Sequence, residues 1–143
     1  MRDLPSPVFD ANAAGGSEFG DLPEWDLSDL YPSEDDPKVA EDLAWLEKAC
    51  ADFAETYQGK LAEIGADGLL SAVEAYEKID LVSGRLGSFA GLRYYQNTTD
   101  ADRAKFMSDI QEKLTGYSAP RVFFTLEMNR IEADVLSAAL AEG

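Results

Sequence analysis

The side chains best suited to chemistry in this sequence form one run, Arg93-Tyr94-Tyr95-Gln96. Flat apolar area beside hydrogen-bonding groups suits a peptide backbone, whose carbonyls and amides can meet a guanidinium, phenols and a primary amide. The four are therefore candidates for peptide contact or for an interface. The plainer alternative is a pair of tyrosines packed as core with wet hydroxyls. No catalytic partner accompanies the run. The chain has no histidine, so it lacks Ser-His-Asp and Cys-His machinery and any imidazole-bound zinc. Carboxylate chemistry would need two acids whose settings push their pKa values apart, and no pair of acids here has an apolar setting. The sequence nominates no catalytic residue, no metal ligand and no cofactor of its own.

Three weaker signals complete the inventory. Gly84, Gly87 and Gly91 fall at i, i+3 and i+7 of one apolar stretch. Each glycine inside a helix costs about 1 kcal/mol relative to alanine, so three on one face predict close packing by another backbone. A phosphate cradle is the lesser alternative, because no Lys-Ser or Lys-Thr follows and no strand precedes. Cys50, the single cysteine, lies on an apolar stripe and is expected to be a small core residue. Asn97-Thr98-Thr99 matches a glycosylation sequon, which is empty without a secretion signal.

The elements that must position these residues are helices. Asp36 followed by Pro37 opens the first, and Gly59 stops it. Between them Val39, Leu43, Leu46, Cys50, Phe53 and Tyr57 recur at spacings of 4, 3, 4, 3 and 4, which sets all six on one face. Positions such as Glu41, Asp42, Glu47, Lys48, Asp52 and Glu55 read as the solvated face. Trp45 falls beside the stripe, where it caps the edge or meets a second domain. Asp67 is expected to cap a second helix over 68–96, about 43 Å long at ~1.5 Å per residue, with its second half buried. Asn97 to Asp100 turns the chain into a third helix over 100–130, kinked near 116–120 by Pro120. Residues 122–126 are too apolar to be exposed, and 134–141 form a short last helix.

No strand period appears. The fold predicted is all-α, an antiparallel helical array built on two long helices, over residues 22–143. Trp25, Leu27, Leu30 and Tyr31 are expected to dock the start of this domain through a turn at Asp26. Residues 1–21, rich in proline, glycine and small polar groups, read as a disordered or loosely docked arm. Twelve Lys and Arg against 28 Asp and Glu give a net charge of −16. That field repels phosphate backbones and anionic lipid, so neither nucleic acid nor membrane is an expected partner. The absence of an apolar signal core or spanning run, with one cysteine, predicts a cytoplasmic protein.

The segments Leu22-Pro-Glu-Trp-Asp-Leu-Ser-Asp-Leu-Tyr31, Ala54-Glu-Thr-Tyr-Gln-Gly-Lys-Leu61, Gly84-Arg-Leu-Gly-Ser-Phe-Ala-Gly-Leu92 and Phe123-Phe-Thr-Leu-Glu-Met-Asn-Arg130 resemble, in order and spacing, the opening of oligoendopeptidase F proteins, a family of thimet-oligopeptidase-like zinc metallopeptidases. The resemblance covers residues 22–140. It implies a helical N-terminal region followed by a larger catalytic domain, with oligopeptides cleaved in a channel between them. There a His-Glu-x-x-His helix and a later glutamate hold zinc, and the motif's glutamate activates water. This chain departs from the pattern in lacking that motif, so no catalytic or zinc residue carries over. On the resemblance it is the N-terminal non-catalytic lobe and hydrolyses nothing alone. Its partners are its own missing catalytic domain and oligopeptide substrate, and the zinc belongs to that domain.

A second hypothesis is a stand-alone helical module that dimerises or holds another protein. An enzyme of another class stands third. A lobe separated from a large domain would expose an apolar patch able to drive self-association.

Overall fold

A computed structural model of the chain describes residues 25–142. The arm expected over 1–21, with the first residues of the docking segment, lies outside the described residues. Among the described residues the elements are α1 (Pro37–Tyr57), α2 (Gly65–Gln96), α3 (Ala101–Ser118), one 3-10 turn (Ala119–Arg121), α4 (Val122–Met128) and α5 (Ala133–Glu142), with no strand. The architecture is the antiparallel all-α array that the periodicity predicts.

Local chemistry starts and stops these helices. Asp36 is extended and its carboxylate accepts from the Lys38 amide, while Pro37, which has no N–H to orphan, fills the first turn of α1. Beyond the helix Gly59 takes φ +77°, the left-handed stop that a Cβ disfavours. Lys60 Nζ donates to the carbonyls of Glu55 and Thr56, each at 2.9 Å, satisfying the open end. Asp100 caps α3 by accepting from the amides of Asp102 and Arg103.

Two boundaries differ from expectation. α2 begins at Gly65 rather than 68, with no side-chain cap, and Asp67 lies inside its first turn. Gly65 at φ +68° lets the chain turn into the helix early, and the acidic side chain there complements the helix dipole. At 32 residues α2 is about 48 Å long. The long third helix is two helices: Pro120, which cannot donate to the turn before it, sits in a 3-10 turn that separates α3 from α4. That break swings Phe123 and Phe124 inward, but Val122 and Leu126 remain 58% and 52% exposed, against the expectation for this apolar run.

The core lies along α2. Val39, Leu43, Leu46, Cys50 and Phe53 of α1 are buried, with Tyr57 half-buried at the end of the stripe. They meet Leu69, Ala72, Ile79, Leu86, Phe89 and Ala90 of α2. Two aromatic groups mark the ends of the core. Phe53 packs on Tyr57, Tyr76, Phe123 and Phe124 at ring separations between 5.1 and 6.0 Å, and Tyr76 stacks on Phe124 at 4.6 Å. Phe89 meets Tyr31 edge-on at 5.2 Å and Phe106 at 6.0 Å. Trp45 lies half-buried beside the stripe with Lys78 Nζ 5.3 Å above its ring. One face of α2 is left open, where Leu81 is 75% exposed, so the second half of this helix is not buried all round.

The glycine face does not do what its spacing predicts. A Cβ built at Gly84 would meet nothing within 4 Å, at Gly91 only the Tyr95 ring of its own helix at 3.9 Å, and at Gly87 the Leu114 side chain at 3.5 Å. Of the three, only Gly87 faces another helix, and at ordinary van der Waals distance. The expected close backbone approach at Gly84, Gly87 and Gly91 is therefore corrected.

Candidate functional site

The C-terminal end of α2 brings the expected residues together, but two of them already have partners. The segment 25–36 folds back across this end of the helix. Asp26 Oδ1 accepts from the Ser28 amide at 2.9 Å, and the amides of Leu30 and Tyr31 donate to the Leu27 carbonyl. This single turn aims Tyr31 into the core, where it is 1% exposed, while Trp25 stays 62% exposed. Tyr31 is thus the docking anchor and Trp25 is not.

Arg93 grips this segment. Its Nε and Nη2 donate to the two oxygens of Glu34 at 2.7 and 3.1 Å, a forked pair that is about three-quarters buried on both sides. The fork holds the Glu34 carboxyl below its ordinary range, against the opposing cost of burial. Arg93 Nη1 also donates to Gln96 Oε1 at 2.9 Å, which turns the Gln96 amide to donate to the Trp25 carbonyl at 3.0 Å. Arg93 is therefore engaged by the Glu34 side chain and Gln96 by one backbone carbonyl, both of this chain's own 25–36 segment. Tyr94 and Tyr95 pack on each other at 5.4 Å, with Tyr95 65% exposed. Tyr94 behind it is half-buried.

One layer deeper lies a buried polar cluster. Asp42 is 4% exposed, which corrects its assignment to the solvated face. The Tyr31 hydroxyl donates to Asp42 Oδ2 at 2.7 Å, Lys38 Nζ to Oδ1 at 2.7 Å, and Arg85 Nη2 to Oδ2. Arg85 Nε donates to the Tyr31 oxygen at 3.1 Å, and its guanidinium lies over the Tyr31 ring at 5.2 Å. Burial pushes the Asp42 carboxyl upward, but the bonds from Lys38 and Tyr31 and the Arg85 charge outweigh it and hold the group below its usual value. Burial and the bond to Asp42 push the Tyr31 phenol up to about 12. A carboxylate this fully engaged is a poor proton acceptor and a phenol held this tightly is a poor donor. The cluster locks residues 25–36 to α1 and α2; it is not an acid–base pair.

Position 42 carried a usable signal. It stands i+3 from Val39 and i−4 from Leu46, on the edge of the apolar stripe, and i+4 from Lys38. Glu34 and Arg85 carried none, since their partners are 59 and 43 residues away. Beside the clasp a shallow hollow of about 540 Å³ opens between Glu34, Asp35, Arg93, Asp100, Arg103 and Phe106. Arg103 reaches across it from α3 to the Arg93 carbonyl at 3.3 Å. Among the described residues no group of three His, Cys, Asp or Glu is placed to share a metal ion, and no helix is long and apolar enough to cross a membrane. Compared with family models, with curated proteins and with solved structures, the chain matches none.

Proposed function

We propose that this chain is a non-catalytic helical lobe of an oligoendopeptidase F-like zinc metallopeptidase, where it forms part of the wall of the channel that admits short peptides. The observation that supports a lobe rather than a self-contained enzyme is the apolar surface left on the array. Leu70, Leu81 and Leu140 are each more than half exposed, and surface of this kind fits burial against another protein body. The resemblance of four ordered segments to the opening of that family supplies the identity of the body.

On this reading the peptide-contact role narrows within Arg93-Tyr94-Tyr95-Gln96. The guanidinium and the amide serve the clasp, so Tyr95, with Tyr94 behind it, is the residue that meets substrate. The zinc and the water it activates belong to the catalytic domain, and this chain supplies shape and water exclusion.

The test has two stages. The reading frame beyond the codon for Gly143 is read for a His-Glu-x-x-His segment, and its absence would end the peptidase reading. In a full-length chain that has the motif, Tyr95→Ala is expected to raise KM for a fluorogenic peptide several-fold with its clasp intact. Unchanged KM and kcat would remove Tyr95 from the channel. The exposed apolar side chains equally suit a stand-alone interaction module. That second reading is favoured if the frame stops at Gly143 and another protein co-purifies in fixed ratio.

A further inference from the structure

Arg121 sits at the elbow between α3 and α4 with only 11% of its side chain exposed. Its Nε and Nη1 are covered, yet neither has a hydrogen-bond partner among the described residues. A guanidinium carries five N–H donors and stays charged at any ordinary pH, so leaving covered donors unpaired is costly. Two neighbours offset part of that cost. The Tyr76 ring lies 5.2 Å from the guanidinium carbon, which attracts the charge but accepts no hydrogen bond in the plane of the fork. Asp80 Oδ1 stands 3.7 Å from Nη1, beyond hydrogen-bond reach, and the Asp80 side chain is 69% exposed, hence hydrated and screened.

Unused apolar surface adjoins this cation. Val122 and Leu126 stand one turn apart on α4 and are both more than half exposed, although Phe123 and Phe124 of the same helix are buried. With Tyr76, Ser118 and Thr125 they border a shallow hollow of about 370 Å³ that Arg121 also lines. The hollow is large enough for one or two side chains and has a positive charge at its wall.

The geometry points to a docking surface for a polypeptide segment of acidic and apolar character: a partner carboxylate takes the Arg121 guanidinium while aliphatic side chains one turn to either side cover Val122 and Leu126. Because Nε and Nη1 are covered, docking requires the guanidinium to turn toward the hollow, where Nε and one Nη would form the fork that carboxylates match. A second copy of this chain suits the surface less well, because each copy carries −16 and the whole fields repel. A partner need bring only one carboxylate. This inference goes beyond the peptidase reading and does not depend on it, since the surface lies within this chain and can be probed without a catalytic domain.

The test is a titration of the 143-residue chain, followed by NMR at the Arg121 Nε–H and the Val122 and Leu126 methyls. The probe is a short blocked helical peptide carrying one glutamate with leucines one turn before and after it, so that the three share a face. The control is its glutamine twin. The glutamate peptide is expected to shift all three signals saturably and to bind roughly five- to tenfold tighter than the twin, the margin of a charged over a neutral hydrogen-bond acceptor. Arg121→Gln should erase that preference. Val122→Asp, at an exposed site that spares the core, should abolish binding by placing a carboxylate at the rim. It decides the matter if the arginine variant fails to fold. Because the chain's overall field repels an acidic peptide and is screened beyond about 10 Å at 0.1 M salt, added salt should leave the affinity unchanged or raise it. Equal binding of the two peptides, shifts confined to other residues, indifference to both variants, or steep weakening with salt would each overturn the proposal.

Discussion

Asp42→Asn removes one charge and almost no volume, and the cluster it enters sets the size of the effect. The carboxylate is 4% exposed and receives three donors, from Tyr31, Lys38 and Arg85. An amide can still accept from one or two of them but cannot balance two cations. Breaking a fully buried pair by neutralising one partner costs about 3–5 kcal/mol. Here the cations are partly wet, Lys38 at 53% and Arg85 at 35% exposed, which lowers the figure to about 2–3 kcal/mol. For a domain of this size each kcal/mol moves Tm by roughly 3–5 °C, so a fall of about 6–15 °C is expected. Paired with Tyr31→Phe, the double variant should lose about 1 kcal/mol less than the sum of the singles, since they share one hydrogen bond.

The same substitution predicts a pH signature. The folded-state pKa of Asp42 is lowered from 3.8, so on acidification the unfolded chain takes up its proton first. The stability that Asp42 contributes is therefore complete above about pH 5 and is lost as pH falls through 3.8 toward the folded value. Urea midpoints of the parent and the variant should differ most at neutral pH and converge in acid. A variant within 0.5 kcal/mol of the parent at pH 7, by urea titration with unchanged slope, would mean that the cluster contributes nothing net and would refute the reasoning.

Other expectations follow from single contacts. Gly84→Ala adds a methyl that meets nothing within 4 Å and should stabilise α2 by about 1 kcal/mol, whereas Gly59→Ala, at φ +77°, should destabilise by about 1–2 kcal/mol; thermal melts of the pair give opposite signs. Arg93→Lys keeps the charge but loses the fork to Glu34, so amides in 25–36 should exchange several-fold faster while those of Phe89 and Ala90 are unmoved. Phe53→Ala empties a site touched by four aromatic rings and should cost about 3–5 kcal/mol, read by urea denaturation. Cys50 is 1% exposed and burial raises its thiol pKa, so a thiol reagent should label it only at the rate of unfolding.

The helices were legible because their signals are local. Asp36 and Pro37 mark a start, Gly59 a stop, and the stripe from Val39 to Phe53 repeats with the helix period, so sequence neighbours alone determine them. The arrival of Pro120 was legible too, but not its outcome, because a kinked helix and a broken one share a sequence pattern and differ in what the following aromatics pack on. Asp42 was misplaced for a related reason. Acidic residues on a helix are usually solvated, and its burial depends on Tyr31 and Arg85, which reach it only in the assembled array. Arg93 and Gln96 were recognised as groups that suit a peptide backbone. That Arg93 would instead take the Glu34 carboxylate, and Gln96 the Trp25 carbonyl, follows from the fold-back, which no spacing encodes.

That fold-back also bears on the order in which the molecule assembles. Helix pairs joined by short turns, such as α2 and α3, close early at little entropic cost, whereas the clasp joins groups 54, 59 and 71 residues apart in sequence. Residues 25–36 should therefore attach after the rate-limiting step, with φ-values near zero. Weakening the clasp would then leave the folding rate almost unchanged and act on how fast the native state comes apart, so that this N-terminal strap governs the protein's lifetime against unfolding more than its speed of formation.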